Sequence, residues 1–191
     1  MKKRKKLGGE IRYLEKTKDR EPEARREETT LLQDILYLLL KILGIVVALL
    51  LIFTFLFGIF PYQDVAMKPS IKDGDLVLFY RLDKNYIATD TIVLEYQGNR
   101  QVRRVVAVAG DVVDISDDGL MINGAVQQEA GIYEDTVRYA EGIEFPVTVG
   151  KGQVFVLGDS RLTAADSRIY GPVEIKDTLG KVMTLIRRRD I

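Results

Sequence analysis

Nineteen consecutive residues without a charged side chain, residues 42–60, constrain the fold of this 191-residue chain more than any other feature. Residues 35–40 extend the apolar run, and Lys41 is the one charge between the two parts. A helix of nineteen residues rises about 28 Å, close to the roughly 30 Å of a bilayer's hydrocarbon core. A cleavable signal peptide would have about 7–15 apolar residues followed by a small-x-small site. This run passes instead into Phe60-Pro61-Tyr62, whose two aromatic residues suit the membrane interface. The sequence therefore predicts a retained transmembrane helix over residues 35–60.

The net charge of zero conceals a basic amino end on an acidic body. Residues 1–30 carry 11 Lys/Arg against 7 Asp/Glu, whereas residues 61–191 carry 16 against 20. The basic flank predicts that the amino end is cytoplasmic and that residues 61–191 are extracytoplasmic. Residues 1–34 are then a cytoplasmic charged tail, with little stable structure expected over residues 1–30. The membrane flank also explains the opening KKRKK, so we expect membrane lipid rather than nucleic acid as a partner.

Residues 61–191 have the pattern of an antiparallel β domain. Short runs rich in Val, Ile, Tyr and Phe alternate with turns rich in Gly, Asp and Asn. These runs are residues 75–81, 91–96, 102–108, 112–115 and 153–157. Asn123-Gly124 predicts a hairpin turn. No long stretch has helical period, so the predicted fold is a mainly β domain on a single amino-terminal transmembrane helix.

The chain contains no His and no Cys, and their absence excludes several kinds of active site. A Ser-His-Asp hydrolase and an HExxH metalloprotease both need His. A thiol nucleophile, a disulfide framework and a thiolate zinc site all need Cys. Hydrolysis would have to use carboxylates, a Ser/Thr–Lys pair or an oxygen-bound metal, and we expect neither a metal site nor a cofactor.

Four motifs follow one another along residues 61–191. They are Ala66-Met67-Lys68-Pro69-Ser70 with Gly74-Asp75, Arg103-Arg104-Val105 with Gly110-Asp111, Ile122-Asn123-Gly124 with Glu129, and Gly158-Asp159-Ser160-Arg161 with Asp166-Ser167-Arg168 and Gly171. In this order, behind a membrane anchor, they resemble the type I signal peptidases, which are membrane-bound Ser/Lys endopeptidases. The single amino-terminal anchor resembles the Gram-positive form. The resemblance covers about residues 35–182 and implies the signal-peptidase β-fold.

This sequence departs from the family's pattern at the reacting positions. Ala66 stands at the position of the nucleophilic Ser and has no hydroxyl. Arg103 stands at the position of the base Lys, and a guanidinium stays protonated in proteins. Ala164 replaces the Ser that supports the Lys, and Asp64 stands where the family usually has Ser or Gly near the oxyanion. Four changes together favour natural loss of the catalytic dyad over a single engineered Ser→Ala change.

Other residues of these motifs could in principle replace the dyad. Ser70 with Lys68 or Lys72 would be a relocated pair, but moving the attacking atom by several ångström is costly, since about 1 Å can cost ~10²-fold. Ser70 is more simply a turn residue. Asp159, Arg161, Asp166 and Arg168 are interpreted as one structural ion-pair network under the groove. Ser167 is interpreted as part of the scaffold, and the remaining positions that match the family's motifs are Met67, Pro69, Arg104 and Gly158.

The sequence therefore favours a signal-peptidase-like membrane protein that lacks peptidase activity. The resemblance implies a groove that binds an extended peptide by strand addition, which needs no dyad. The first hypothesis is a binding or assembly factor for secreted or cell-wall proteins, with a pilin as one candidate client. The alternative is a type I signal peptidase that removes signal peptides with unorthodox residues. A soluble self-cleaving repressor of the related Ser/Lys fold fits less well, because of the anchor.

Overall fold

The computed structural model describes residues 20–187, with side chains from residue 30 onward. The chain divides into two compact units, Met1–Ile52 and Phe53–Ile191. The first unit contains most of helix α1 (Arg20–Leu56). Within α1, Thr30–Leu56 is long and apolar enough to cross a membrane, and it is the one such segment in the described residues. A single apolar amino-terminal helix agrees with the prediction.

The bounds of this helix differ from the predicted ones at both ends. Residues 20–30 are helical although little structure was expected there, and residues 1–19 lie outside the described residues. At the other end α1 stops at Leu56, and Phe57–Pro61 forms strand β1, which pairs antiparallel with β2. Gly58 permits this pairing, because a Cβ there would lie 2.2 Å from the Phe79 ring. The predicted exit through interfacial aromatics is therefore wrong: Phe60 and Tyr62 are buried in the β domain.

The second unit is built from two antiparallel sheets, which confirms the predicted fold class. Its further strands are β2 (Leu76–Tyr80), β3 (Thr91–Tyr96), β4 (Asn99–Val108), β5 (Val112–Ser116), β6 (Gly119–Ile122), β7 (Ala125–Val126), β8 (Val147–Thr148), β9 (Gln153–Leu157), β10 (Val173–Glu174) and β11 (Thr178–Ile186). The larger sheet has the order β1-β2-β11-β3-β4-β9-β10, and the smaller one β7-β6-β5-β8. Helix α2 (Ser167–Tyr170) and the 3-10 turn Ile175–Asp177 are its short helical segments.

The predicted hairpin turn is confirmed at Asn123-Gly124, between β6 and β7. Both residues have positive φ, 53° and 81°, as a type I′ turn requires. Besides β6 and β7, which flank this turn, four strands are additional to the predicted runs: β1, β8, β10 and β11. Most of β1 lay inside the predicted membrane span, and β11 lies between β2 and β3.

One of the three apolar clusters of the core positions the site. It packs side chains of β1 and β2 against β3 and β4, and it also takes in the start of the first motif. Its buried members are Phe60, Tyr62, Met67, Ile71, Val77, Phe79, Val93 and Val102. The segment that follows β1 is therefore held against β4 by hydrophobic packing, and this brings residue 64 to residue 103.

Candidate functional site

Two open sheet edges face each other across the site. β1 is the last strand on its side of the larger sheet. β4 pairs with β3 along residues 99–104, but β9 pairs with it only from Arg104 onward, so residues 99–103 have one open edge. The Arg100 guanidinium lies 5.8 Å from the centroid of the Phe60 ring, which shows that the two edges approach each other. We call the region between residues 57–64 and residues 99–103 the cleft.

A buried ion pair joins the two edges at one end of the cleft. Arg103 Nη1 lies 3.2 Å from Asp64 Oδ2, and the two side chains are 2% and 33% exposed. The Arg103 guanidinium also donates from Nη1 to the Val102 carbonyl at 2.7 Å and from Nε to the Ala165 carbonyl at 2.9 Å. A buried cation is tolerated when it is paired and hydrogen-bonded, and Arg103 meets both conditions.

The other oxygen of Asp64 binds the backbone of the first motif. Asp64 Oδ1 accepts the N–H of Val65 at 2.7 Å and the N–H of Ala66 at 3.1 Å. The carboxylate therefore points toward position 66. The Ala66 N–H, which sits at the nucleophile position of the family pattern, is already occupied by an anion from the same chain.

Ala66 and Ala164 meet across Gly158, where the first and fourth motifs pack together. A Cβ on Gly158 would lie 2.2 Å from the Ala164 Cβ and 2.7 Å from the Ala66 carbonyl oxygen. Both alanines are 1% exposed, and the Ala66 carbonyl accepts the Ser160 N–H at 2.9 Å. Methyl groups and backbone thus fill the place where the family pattern has two hydroxyls.

Tyr62 adds a buried hydroxyl to the same cluster. Within residues 30–187 its oxygen is the buried side-chain polar atom that has no hydrogen-bond partner. Burial raises the pKa of Tyr62, and the negative charge of Asp64 raises this pKa further, whereas the positive charge of Arg103 lowers it. The phenol stays neutral beside the ion pair.

Arg104, the neighbour of Arg103, binds Asp159 of the fourth motif. Its Nε and Nη2 lie 2.8 Å and 2.6 Å from the two carboxylate oxygens, and the hydrogen bonds to Asp159 raise the pKa of Arg104. Arg104 Nη2 is also 3.5 Å from the Ser70 hydroxyl. No hydrogen bond joins that hydroxyl to Lys68 or Lys72 among the described residues, so the structure does not bring a relocated Ser/Lys pair together.

The rest of the fourth motif forms a buried scaffold. Asp166 and Arg168 pair with each other at 2.8 Å, and both side chains are fully buried. Asp166 also accepts the Gly158 N–H at 3.0 Å, and Ser167 accepts the Val156 N–H at 3.0 Å. These contacts fix α2 to the end of β9.

The four charged residues of this motif were interpreted as a structural ion-pair network, and in the structure each of them takes part in an ion pair. Arg161 pairs at 2.5 Å with Glu129 of the third motif, and Asp159 pairs with Arg104. Only Asp166 and Arg168 pair within the motif. The fourth motif is therefore joined by ion pairs to two other parts of the chain, the second and the third motif.

Among the side chains of residues 30–187, no group of three or more acidic residues could hold a metal ion. The sequence presents Asp64 and Arg103 as two separate departures from the family pattern, and the structure joins them as one ion pair. Their opposite charges are compatible with a pair, but 39 residues separate them and the sequence alone does not select one as the partner of the other.

Comparison with known proteins gives a consistent result. The family model described as "Signal peptidase, peptidase S26" matches residues 35–186. Signal peptidase I P of Bacillus subtilis subsp. natto is 30% identical over 152 residues, which cover 72% of this chain and 82% of that protein. Signal peptidase I of Bacillus licheniformis is 31% identical over 134 residues, which cover 64% and 72%.

Two further matches cover a smaller share of one of the two chains. Thylakoidal processing peptidase 1 of Arabidopsis thaliana is 33% identical over 134 residues, and the match spans 62% of this chain but 38% of that protein. The crystal structure of a signal peptidase I from Enterococcus faecalis V583 is 28% identical and covers 52% of this chain and 97% of that one, with a TM-score of 0.44.

Proposed function

Because this chain belongs to the signal peptidase family, peptidase S26, we propose that it is a membrane-anchored member that binds secreted or cell-wall proteins without cleaving them. The observation that carries the proposal is the ion pair between Asp64 and Arg103 beside Ala66. It occupies the place where the family pattern has the nucleophile, its base and the oxyanion donors.

Hydrolysis by a Ser/Lys pair needs a hydroxyl, a neutral base and a free donor for the oxyanion. Ala66 offers no hydroxyl, and the Arg103 guanidinium stays protonated and donates to three acceptors. The Ala66 N–H is held by Asp64. Each of the three requirements is unmet at this position, and Ser70, the nearest hydroxyl of the first motif, contacts Arg104 instead of a Lys.

Binding, in contrast, requires only the open edges. Alternate residues of an antiparallel strand direct their backbone groups to opposite sides. The Tyr62 N–H donates to Asp75 and its carbonyl accepts from Gly74, so residues 59 and 63 turn their N–H and C=O groups to the opposite, open side. Pro61 offers only its carbonyl there, because proline has no N–H. An extended peptide can add to such an edge by main-chain hydrogen bonds. The family resemblance suggests a segment with small side chains as the ligand and a pilin as a candidate client.

The proposed topology places the amino end in the cytoplasm and the β domain outside, because the basic surplus lies before the anchor. We expect external protease added to intact cells to remove the β domain and leave an amino-terminal fragment of roughly 60 residues. Antibodies against tags at the two ends would follow both parts on a gel, with lysed cells as the control for protease access. Protection of the carboxyl-terminal tag in intact cells would contradict this orientation.

The proposed function is tested by separating binding from cleavage. We expect the purified protein in detergent to bind a preprotein with an Ala-x-Ala site and to leave it uncut from about pH 6 to about pH 10. A Bacillus signal peptidase I on the same preprotein is the positive control. Cleavage that persists in a Ser70→Ala variant would support an unorthodox site elsewhere, and cleavage lost in that variant would show a relocated Ser70 nucleophile. Either result favours the alternative, a signal peptidase that removes signal peptides.

A further inference from the structure

The Asp64–Arg103 pair lies where both open edges end. The open edge of β4 stops at Arg103, because β9 pairs with β4 from Arg104 onward. On the opposite side the chain leaves the extended conformation of β1 and turns at residues 65–70. Four successive antiparallel pairings separate β1 from β4, so both strands run toward this pair. A peptide that adds parallel to them therefore brings its carboxyl end to the carboxylate of Asp64.

Two donors beside the Asp64 carboxylate, the Ala66 N–H and Arg103 Nη1, are already in use. Asp64 accepts hydrogen bonds from the Ala66 N–H and from Arg103 Nη1. Arg103 Nη1 also donates to the Val102 carbonyl on the open edge of β4. The side chain of Asp64 nevertheless remains 33% exposed, so its negative charge is accessible to a ligand. The end of the cleft thus presents a carboxylate, with its neighbouring donors satisfied, to whatever arrives there.

We infer that Asp64 makes the cleft select chains that continue past this point over chains that end there in a free carboxylate. The inference rests on the proposed binding function and deepens it by naming the ligand as an uncleaved segment. A continuing chain presents a neutral amide carbonyl beside Asp64. A chain cut at this point presents a second carboxylate, which Asp64 repels and for which the Ala66 N–H and Arg103 Nη1 are not free.

Two matched peptides test this selection. They share the sequence of a signal-peptide carboxyl end that finishes at the last Ala of an Ala-x-Ala motif, one as the free acid and one as the carboxamide. Fluorescence anisotropy with the full-length protein in detergent at neutral pH and low salt gives both dissociation constants. We expect the amide to bind about tenfold or more tightly than the acid, with a ratio that shrinks as salt screens the repulsion.

The variant Asp64→Asn separates charge from shape. It is nearly isosteric and keeps an acceptor for the Ala66 N–H, so we expect the preference for the amide to disappear or to invert as Arg103 loses its anion. Asp117→Asn removes the same charge from an exposed turn and should leave the ratio unchanged.

Three results would overturn the inference. Equal binding of the acid and the amide peptide to the natural protein would contradict the preference for continuing chains. The proposed binding function would still stand in that case. A ratio that is the same in the natural protein and in Asp64→Asn contradicts the role of Asp64. Failure of both peptides to bind either protein contradicts the proposed function, and the inference is lost with it.

Discussion

Replacing Asp64 with Ala is expected to lower the free energy of unfolding by about 3 kcal/mol. Removing one member of a buried ion pair leaves the other charge uncompensated, at a cost of about 3–5 kcal/mol when both partners are buried. Arg103 is 2% exposed but Asp64 is 33% exposed, so water reaches part of the pair and the lower end applies. The loss of two backbone hydrogen bonds to Asp64 adds to the effect.

A double-mutant cycle isolates the pair from these other contacts. We expect Asp64→Ala, Arg103→Met and the double variant to give an interaction energy of about 1–3 kcal/mol. Urea titrations of the full-length chain in detergent, followed by far-ultraviolet circular dichroism, measure each free energy of unfolding. The matched control is the Arg138–Asp114 pair, whose side chains are 50% and 34% exposed, and we expect its coupling to stay below about 1 kcal/mol.

Additive effects at positions 64 and 103, within about 0.5 kcal/mol, would contradict this account. They would mean that each side chain is stabilised by its backbone contacts alone. The departures from the family pattern at positions 64 and 103 would then be independent of each other. The cleft would have no fixed charge pair at its end.

Strands whose signal is local could be predicted from the sequence. The runs that became β2, β3, β5 and β9 are short, rich in branched and aromatic residues, and bounded by turn residues. β1 could not be found in this way, because its residues continue the apolar run of the anchor without a break. What distinguishes the strand from the helix is its pairing with β2, in which Gly58 leaves room for the Phe79 ring, and this pairing depends on the tertiary structure.

β11 escaped prediction for a different reason. A register shift between Val182 and Thr184 interrupts its pairing with β2, and its residues show no regular alternation of buried and exposed side chains. The period-2 pattern on which strand prediction depends is therefore absent, although the strand is central to the sheet.

In the candidate site, too, the sequence predicts which positions belong together but not which side chains pair. Motif order predicts that positions 66, 103 and 164 belong to one site, and the structure places Ala66 and Ala164 within one packed group. The partner of each charged side chain could not be predicted, because the partners are far apart along the chain. Asp64 and Arg103 are separated by 39 residues, and Glu129 and Arg161 by 32.

Restoring the two reacting groups, Ala66→Ser and Arg103→Lys, is expected to return little or no peptidase activity. In this double variant Asp64 would still lie beside the new ammonium group and favour its protonated form, so the base would be unavailable. The same carboxylate would keep the N–H of residue 66 and repel a developing oxyanion. Ala164 would leave the new Lys without a hydroxyl partner.

The quadruple variant removes all of these obstacles by adding Asp64→Gly and Ala164→Ser. We expect it to cleave an Ala-x-Ala preprotein at least about 10²-fold faster than the double variant, since one oxyanion donor alone is worth ~10²–10³ in rate. Single-turnover cleavage in detergent measures all variants on the same preprotein. Thermal unfolding of each variant shows whether a slow rate comes from the site or from a failure to fold.

A double variant that cleaves as fast as the quadruple one would contradict this argument. Asp64 and Ala164 would then be bystanders, and the site would be a peptidase silenced only at its two reacting groups. The triple variant that keeps Asp64 but carries the other three changes separates the two supporting residues. If the ion pair is what closes the site, this triple variant should remain as slow as the double one, because the carboxylate of Asp64 still holds both the base and the oxyanion donor.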